Sequence, residues 1–439
     1  MKRHISFLYV HWATWLGSFL LLAILPITSR SGSLAPAVGL SLFYVLWSSF
    51  WAFVFGCKLK GAPAGPVAIA PDHKHVSRFL WRAAVVGVIG VSFLIYDRVT
   101  VQGIGFSSGI ALARAAWANA GMERSGGVSS VFSVAGNILW AFAYVVLAPV
   151  VLVWERLRVF ERVVLLILAG GTIIATSALN GGRTPIVLGL GIFISVCLVR
   201  SIVGLAFFPP LLVKARKMRV LVALCILAYF PYISVERSEM TQIDPHTYAT
   251  IMLTFAHGQW TDSIHVLDSL PDSVEAGVYP VLLSGIQWVH PFLVLETVIE
   301  VPDRSGAVLL GTMISIAEKI GIVHDVPVEW TYPGLFLSLP GGLYHDLGFL
   351  GVLLGGLVHG AFLGRCESLL RRRRVGLPLL CVCIAVLSET ILAPLINADA
   401  LAPFPFMIFA FMVAAPFCRP LVAPGKVPLA AIRTITVTC

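Results

Sequence analysis

Charge is scarce in this chain: Asp, Glu, Lys and Arg make up 12% of its 439 residues. A soluble domain carries about 25%, so too few charges are present to cover a wet surface. Cysteine is scarce where a disulfide would need it. The eight cysteines are Cys57, Cys197, Cys225, Cys366, Cys381, Cys383, Cys418 and Cys439. All fall in apolar runs or on the side of the basic loops, which argues against a structural disulfide in an oxidising compartment. Cys381 and Cys383 have no histidine or second cysteine pair at zinc spacing. Apolar packing is their reading, and no metal site is expected. A P-loop, a Rossmann fingerprint and a DxD pair in a soluble domain are absent as well. No cofactor is expected. The net charge of +9 is spread through short loops with no compact basic domain, so no nucleic acid is expected as partner.

What the chain has is long apolar runs. Hydrophobic residues make up 58% and the mean hydropathy is +0.90. Ten runs approach or exceed the length that crosses a hydrocarbon core of roughly 30 Å as a helix. They lie at about 5–27, 37–57, 80–96, 129–154, 163–180, 186–207, 219–235, 347–366, 376–396 and 401–418. The expected fold is an all-α polytopic membrane protein of about ten transmembrane helices. The first run is too long for a signal h-region and lacks a clear A-x-A site, so it reads as a retained helix. Between runs seven and eight lies a long segment, 236–345, polar at both ends. Its apolar middle, "YPVLLSGIQWVHPFLVLETV" at 279–298, reads as a re-entrant or interfacial element or as a pair of extra spans, which would make twelve.

Orientation follows from Lys and Arg, which favour the cytoplasmic loops. With the N-terminus inside, twenty-three basic residues fall on the cytoplasmic side and eight on the other. The division is then seven helices in 1–235, a large external loop at 236–345, three helices in 346–418 and a cytoplasmic tail at 419–439. "RRRR" at 371–374 is the strongest single marker.

The eight external basic residues include several single arginines at helix mouths. In "SALNGGRTPIVLGL" (177–190), Arg183 stands in a tight turn of Asn180, Gly181 and Gly182, with Pro185 opening the next helix. Orientation does not call for a positive charge there. The arginine is either a snorkelling turn residue or a functional one. Arg98 follows the third run in "LIYDRVTVQG", Arg237 the seventh in "SVERSEM", and Arg114 lies in "GIALARAAWANAG". A planar fork of donors that stays charged suits a phosphate or diphosphate. Acids gather on the same side. His345 and Asp346 open the eighth run in "LYHDLGFLGVLLGGLVHG". Asp346 reads as an N-cap, or either residue as a general base. Gly351, Gly355, Gly356 and Gly360 behind them read as close helix packing. Glu389 and Asp399, with Asn397, would suit the ion path of a transporter, although they fall near the external end.

Three stretches carry a family resemblance: "YDRVTVQGIGFSSGIALARAA" (96–116), "ALNGGRTPIVLGL" (178–190) and "YPGLFLSLPGGLYHDLGFLGVLLGGLVHG" (332–360). With the long external loop before the last of them, the chain resembles the oligosaccharide repeat-unit polymerases, the Wzy-type O-antigen polymerases of bacteria. The resemblance implies an inner-membrane glycosyltransferase that polymerises repeat units carried on undecaprenyl diphosphate. It implies no metal and no nucleotide sugar, and as partners a chain-length regulator and a flippase. Carried over, Arg98, Arg183 and Arg237, with Arg114, would bind the diphosphate. Glu239, His345 or Asp346 would supply the base. O-antigen ligases share the layout, and a transporter or flippase of lipid-linked glycans is the competing class.

Overall fold

In a computed structural model the chain is described at residues 6–57, 73–104, 130–179, 184–210, 242–269, 271–300, 308–309, 311–324, 336–371, 377–397 and 403–414, with single positions between 217 and 239. It is an all-α polytopic membrane protein. Among the described residues eight helices are long and apolar enough to cross a membrane. They come from α1 (Phe7–Ile24), α2 (Ala35–Cys57), α3 (His73–Tyr96), the pair α4 (Val131–Leu139) and α5 (Phe142–Leu152), α6 (Val159–Leu179), α7 (Thr184–Ile202), α9 (Asp272–Glu300) and α11 (Leu339–Arg371). Shorter are α8 (Pro245–Phe255), α10 (Gly311–Lys319), α12 (Leu377–Leu392) and α13 (Pro403–Ala414). The two short strands β1 (Ile27–Ser29) and β2 (Gly258–Trp260) pair antiparallel. Most of the apolar run at 219–235 lies outside the described residues.

Glycines set how closely the helices approach. α11 lies on α2 through Gly356, Gly360 and Gly364. A Cβ at Gly360 would stand 2.2 Å from the Ser48 carbonyl oxygen, and one at Gly364 2.2 Å from that of Ala52. α3 approaches the α4–α5 joint in the same way, where a Cβ at Gly90 would stand 2.2 Å from the Trp140 nitrogen. That joint breaks the run at 129–154 into two helices.

Polar contacts sort the helix ends into two sides. At one, Ser6 Oγ donates to Glu367 (2.7 Å), Ser77 Oγ to Glu161 (2.7 Å), and Arg200 pairs with Glu155. Arg200 is fully buried and also donates to the carbonyls of Val151 and Leu152, each at 2.9 Å, closing the C-terminus of α5. This is the end from which the basic loops leave. At the opposite end Ala37 N–H donates to Glu296 (3.1 Å), and Ser130 donates to Asp97.

The stretch 279–298 lies inside α9, one unbroken helix despite Pro280 and Pro291, so it is not a pair of spans. Gly285 sits against Leu25, Phe292 against Trp15 and Phe19 (ring centroids 6.3 and 5.5 Å), and Glu296 against Ala37. Leu25 and Ala37 flank the same turn between α1 and α2. α9 therefore runs obliquely across that end of the first hairpin, dipping toward Trp15 on the way.

Candidate functional site

The opposite end is built around a fold-back in α11. Gly348 has φ 63° and ψ −156°, a conformation open to glycine and strained for other residues. It splits α11 into a short helix, 339–347, and a long one, 349–371. The short helix lies back along the long one, and two further glycines admit it. A Cβ at Gly351 would stand 2.3 Å from the Leu343 carbonyl oxygen, and one at Gly355 2.5 Å from the Leu343 side chain. The short helix thus starts below the helix ends, at the level where α12 stops.

Irregular backbone inside a membrane must be paired by protein, and here it is. Leu339 N–H donates to the Ala393 carbonyl (2.8 Å) and Asn397 N–H to the Leu337 carbonyl (2.9 Å). Phe336 N–H donates to His290 Nε2 (3.1 Å). Since Nε2 accepts, the His290 proton sits on Nδ1, which donates to the Gln287 carbonyl (2.9 Å). Ser338 Oγ accepts from Gly341 N–H (3.3 Å) as a cap.

The short helix carries the His345–Asp346 pair. His345 is buried, and its Nδ1 lies 2.7 Å from Asp346 Oδ1. The carboxylate also accepts from Val308 N–H (2.9 and 3.0 Å) and Leu309 N–H (2.8 Å). This corrects the cap reading of Asp346. The helix begins seven residues earlier, at Leu339, and the carboxylate serves loop amides. With Nδ1–H donating to Asp346, the lone pair of the ring sits on Nε2. A carboxylate that orients an imidazole in this way is the arrangement of a positioned general base.

A second polar corner closes α3. The helix widens into a π turn, Asp97–Val101, a geometry frequent at functional sites. Asp97 and Arg98 are both buried. Asp97 accepts from Ser130 Oγ and Gln102 Nε2, and Arg98 Nη1 donates to Gln102 Oε1 (3.3 Å). Ser130 in turn caps α4. The segment that follows Asp346's partners leads to this corner, because Ile316 of α10 packs on Val134 of α4. From Gly311, the start of α10, to Ile316 is roughly 7 Å along the helix. The corner holding Arg98 and the pair holding His345 thus stand at the same end of the bundle, with α10 packed on α4 behind the corner.

Of the other sequence candidates, Arg114, Arg183 and Arg237 lie outside the described residues. Glu239 is exposed, and among the described residues no contact joins it to the His345–Asp346 pair. Asp244, close by in sequence, caps α8 by accepting from Thr247 N–H (2.8 Å). No group of three or more His, Cys, Asp or Glu side chains suited to a metal stands together among the described residues.

One polar cluster escaped the sequence reading. His359 Nδ1 meets the Tyr44 hydroxyl at 2.5 Å and its Nε2 meets Thr390 Oγ1 at 2.9 Å. His11 Nε2 meets Ser48 Oγ at 2.9 Å, and the two imidazoles stand edge to face at 5.6 Å. Thr390 donates to the Val386 carbonyl (2.8 Å). It therefore accepts from His359 Nε2–H, and His359 Nδ1 accepts from Tyr44. The available signal was a histidine inside each of two apolar runs, since an ionisable group in a span is a functional candidate by default. The glycines around His359 carry only a helix-packing signal.

Comparison with protein-family models, with curated proteins and with solved structures finds no match. The class that the fold defines is a multi-pass helical membrane protein. One end of its bundle bears a helical hairpin, folded back at Gly348, that holds the buried His345 against the partly buried Asp346.

Proposed function

We propose that the protein is a bacterial inner-membrane glycosyltransferase that polymerises oligosaccharide repeat units carried on a polyprenyl diphosphate, with both termini cytoplasmic. The observation that carries this reading is the His345–Asp346 pair, an oriented base on a re-entrant hairpin at the end away from the basic loops. By the positive-inside rule that end is external, where a lipid-linked glycan presents its sugars. Arg98 at the neighbouring corner, with Arg183 and also Arg114 and Arg237 from the same side of the sequence, suits the diphosphate.

The transfer then runs as follows. An acceptor sugar hydroxyl gives its proton to His345 Nε2, and its oxygen attacks the anomeric carbon of the donor glycan. The bond from that carbon to the diphosphate oxygen breaks, and the lipid diphosphate leaves with the electron pair. The arginines stabilise its charge, and Asp346 stabilises the imidazolium.

A transporter or flippase is the second reading. The broken helix at Gly348 favours it, since carriers place half-helices deep in the membrane. Ligase activity would use the same site. The glycan profile of a strain lacking the protein separates the three. Loss of long chains with one capped repeat retained supports the polymerase. Loss of all attached glycan points to the ligase, and accumulation of lipid-linked units on the inner leaflet points to the flippase.

A further inference from the structure

At the end from which the basic loops leave, α3 and α6 meet through two side-chain contacts. Ser77 Oγ donates to Glu161 (2.7 Å), and Trp81 stacks on Phe160 with ring centroids 6.4 Å apart. An arginine directly follows each α3 partner, Arg78 after Ser77 and Arg82 after Trp81, and both are exposed. On the α6 side, Glu161 also accepts from the backbone N–H of Arg158 (2.9 Å), and Arg158 is exposed as well. Three arginines therefore flank one helix seam. Among the described residues none of the three has an ion-pair partner.

Orientation asks for basic loops, not for an arginine inside a span. Arg82 lies within the apolar span Val76–Val101, roughly 9 Å along the helix from Val76. A residue so placed sends its charged head back toward the headgroup layer. Apolar side chains are exposed at the same end: Val159 and Phe160, which open α6 beside Arg158, are each 71% exposed. Farther into the membrane both helices turn apolar on the same faces. Val85 and Ile89 continue the row of Arg78 and Arg82 on α3, Val163 and Ile167 continue that of Phe160 on α6, and all four are exposed.

A ligand that fits this arrangement offers a phosphate to planar, permanently charged forks and an acyl chain to the apolar rows. We infer that the α3–α6 seam binds an anionic phospholipid of the leaflet on the basic-loop side. Arg78, Arg82 and Arg158 hold its phosphate, and a chain lies over Trp81 and Phe160. A zwitterionic lipid also brings a phosphate, but its ammonium is repelled by the same arginines.

The test uses the full-length protein in nanodiscs of phosphatidylglycerol and phosphatidylcholine in equal parts, with retained lipids counted by native mass spectrometry. The wild type should retain phosphatidylglycerol in preference. Arg78→Gln with Arg82→Gln should weaken that retention about ten-fold or more, since one basic residue at an anionic surface is commonly worth about five-fold. Arg372→Gln with Arg373→Gln removes the same charge from the basic run at 371–374 and should leave retention largely unchanged. Arg78→Lys with Arg82→Lys keeps the charge that insertion needs, and without the forks should bind several-fold more weakly. Equal weakening by the two glutamine pairs would reduce the effect to bulk surface charge and overturn the site. Undiminished retention in the lysine pair, or no preference for phosphatidylglycerol, would overturn it too. So would displacement of the lipid by glycerophosphate, which has the phosphate without the chains.

Discussion

His345 Nδ1 lies 2.7 Å from Asp346 Oδ1, and the same carboxylate is fixed by the backbone amides of Val308 and Leu309. On the proposed function the two have unequal parts: the imidazole would take the proton, and the aspartate would position the imidazole. His345→Ala should lower chain extension by about 10²–10⁴-fold, the usual contribution of a general base. Asp346→Asn should lower it less and also loosen the 308–309 segment, since a neutral amide holds two N–H donors weakly. Limited proteolysis of that segment, run beside the activity assay, separates the two effects. Wild-type activity in both variants at normal protein level would remove the pair from the chemistry.

Arg183 is the clearest arginine to test, because its turn needs no positive charge for orientation. Arg183→Ala should reduce extension by about 10²–10³-fold, as loss of one donor to developing charge commonly does, with insertion and accumulation unchanged. Arg183→Lys should rescue only in part, since lysine keeps the charge without the planar fork. Long-chain glycan at wild-type level in the alanine variant would leave Arg183 as a snorkelling residue.

The α2–α11 contact makes a structural prediction. At Gly360 an added Cβ would stand 2.2 Å from a backbone oxygen of α2, which cannot swing aside as a side-chain tip can. Gly360→Ala should destabilise the protein by about 1–3 kcal/mol, the range for overpacking. A thermal-unfolding comparison in detergent checks this, with Gly171→Ala, an unhindered helix position expected to be slightly stabilised, as the reference. Equal midpoints would mean that the two helices are less tightly seated.

Asp244 gives a pH dependence outside the membrane. Its hydrogen bonds from Thr247 hold its carboxyl below the ordinary carboxylate range. A carboxyl lowered on folding stabilises above its unfolded value and loses that contribution as pH falls through the folded one. The first turn of α8 should therefore be protected at pH 7 and fray in acid, as the pH falls from the ordinary carboxylate range through the lowered folded value. Hydrogen exchange at Thr247 and Tyr248, corrected for intrinsic rates, reads this directly. Asp244→Ala should abolish the pH dependence, at a cost of about 1 kcal/mol to the helix. Persistence of the transition in that variant would place its origin elsewhere.

Much of this architecture is legible in apolar run length. The runs at 5–27, 37–57, 80–96, 163–180 and 186–207 all recur as helices with ends shifted by a few residues, because burying a helix in lipid needs only length and apolarity. Run length is blind to breaks inside a run. The joint at Trp140 and the fold-back at Gly348 depend on glycines that matter only once another helix is beside them. His345 and Asp346 were visible as residues but not as a pair, since Asp346's other partners lie 37 and 38 positions earlier in the chain. The contact of His359 with Tyr44 spans 315 positions and was beyond any local pattern. Arg98 was visible as a charge at a helix mouth, but not the π turn that ties it to Gln102.

Chain extension by the purified protein is the most direct measurement. The full-length protein in liposomes is supplied only with a synthetic polyprenyl diphosphate carrying one repeat unit, and products are resolved by size. A ladder of lipid-linked oligomers should form, with release of free polyprenyl diphosphate, and the ladder should vanish with His345→Ala. Single repeat units left intact by folded wild-type protein, or a ladder undiminished in the alanine variant, would contradict the assignment.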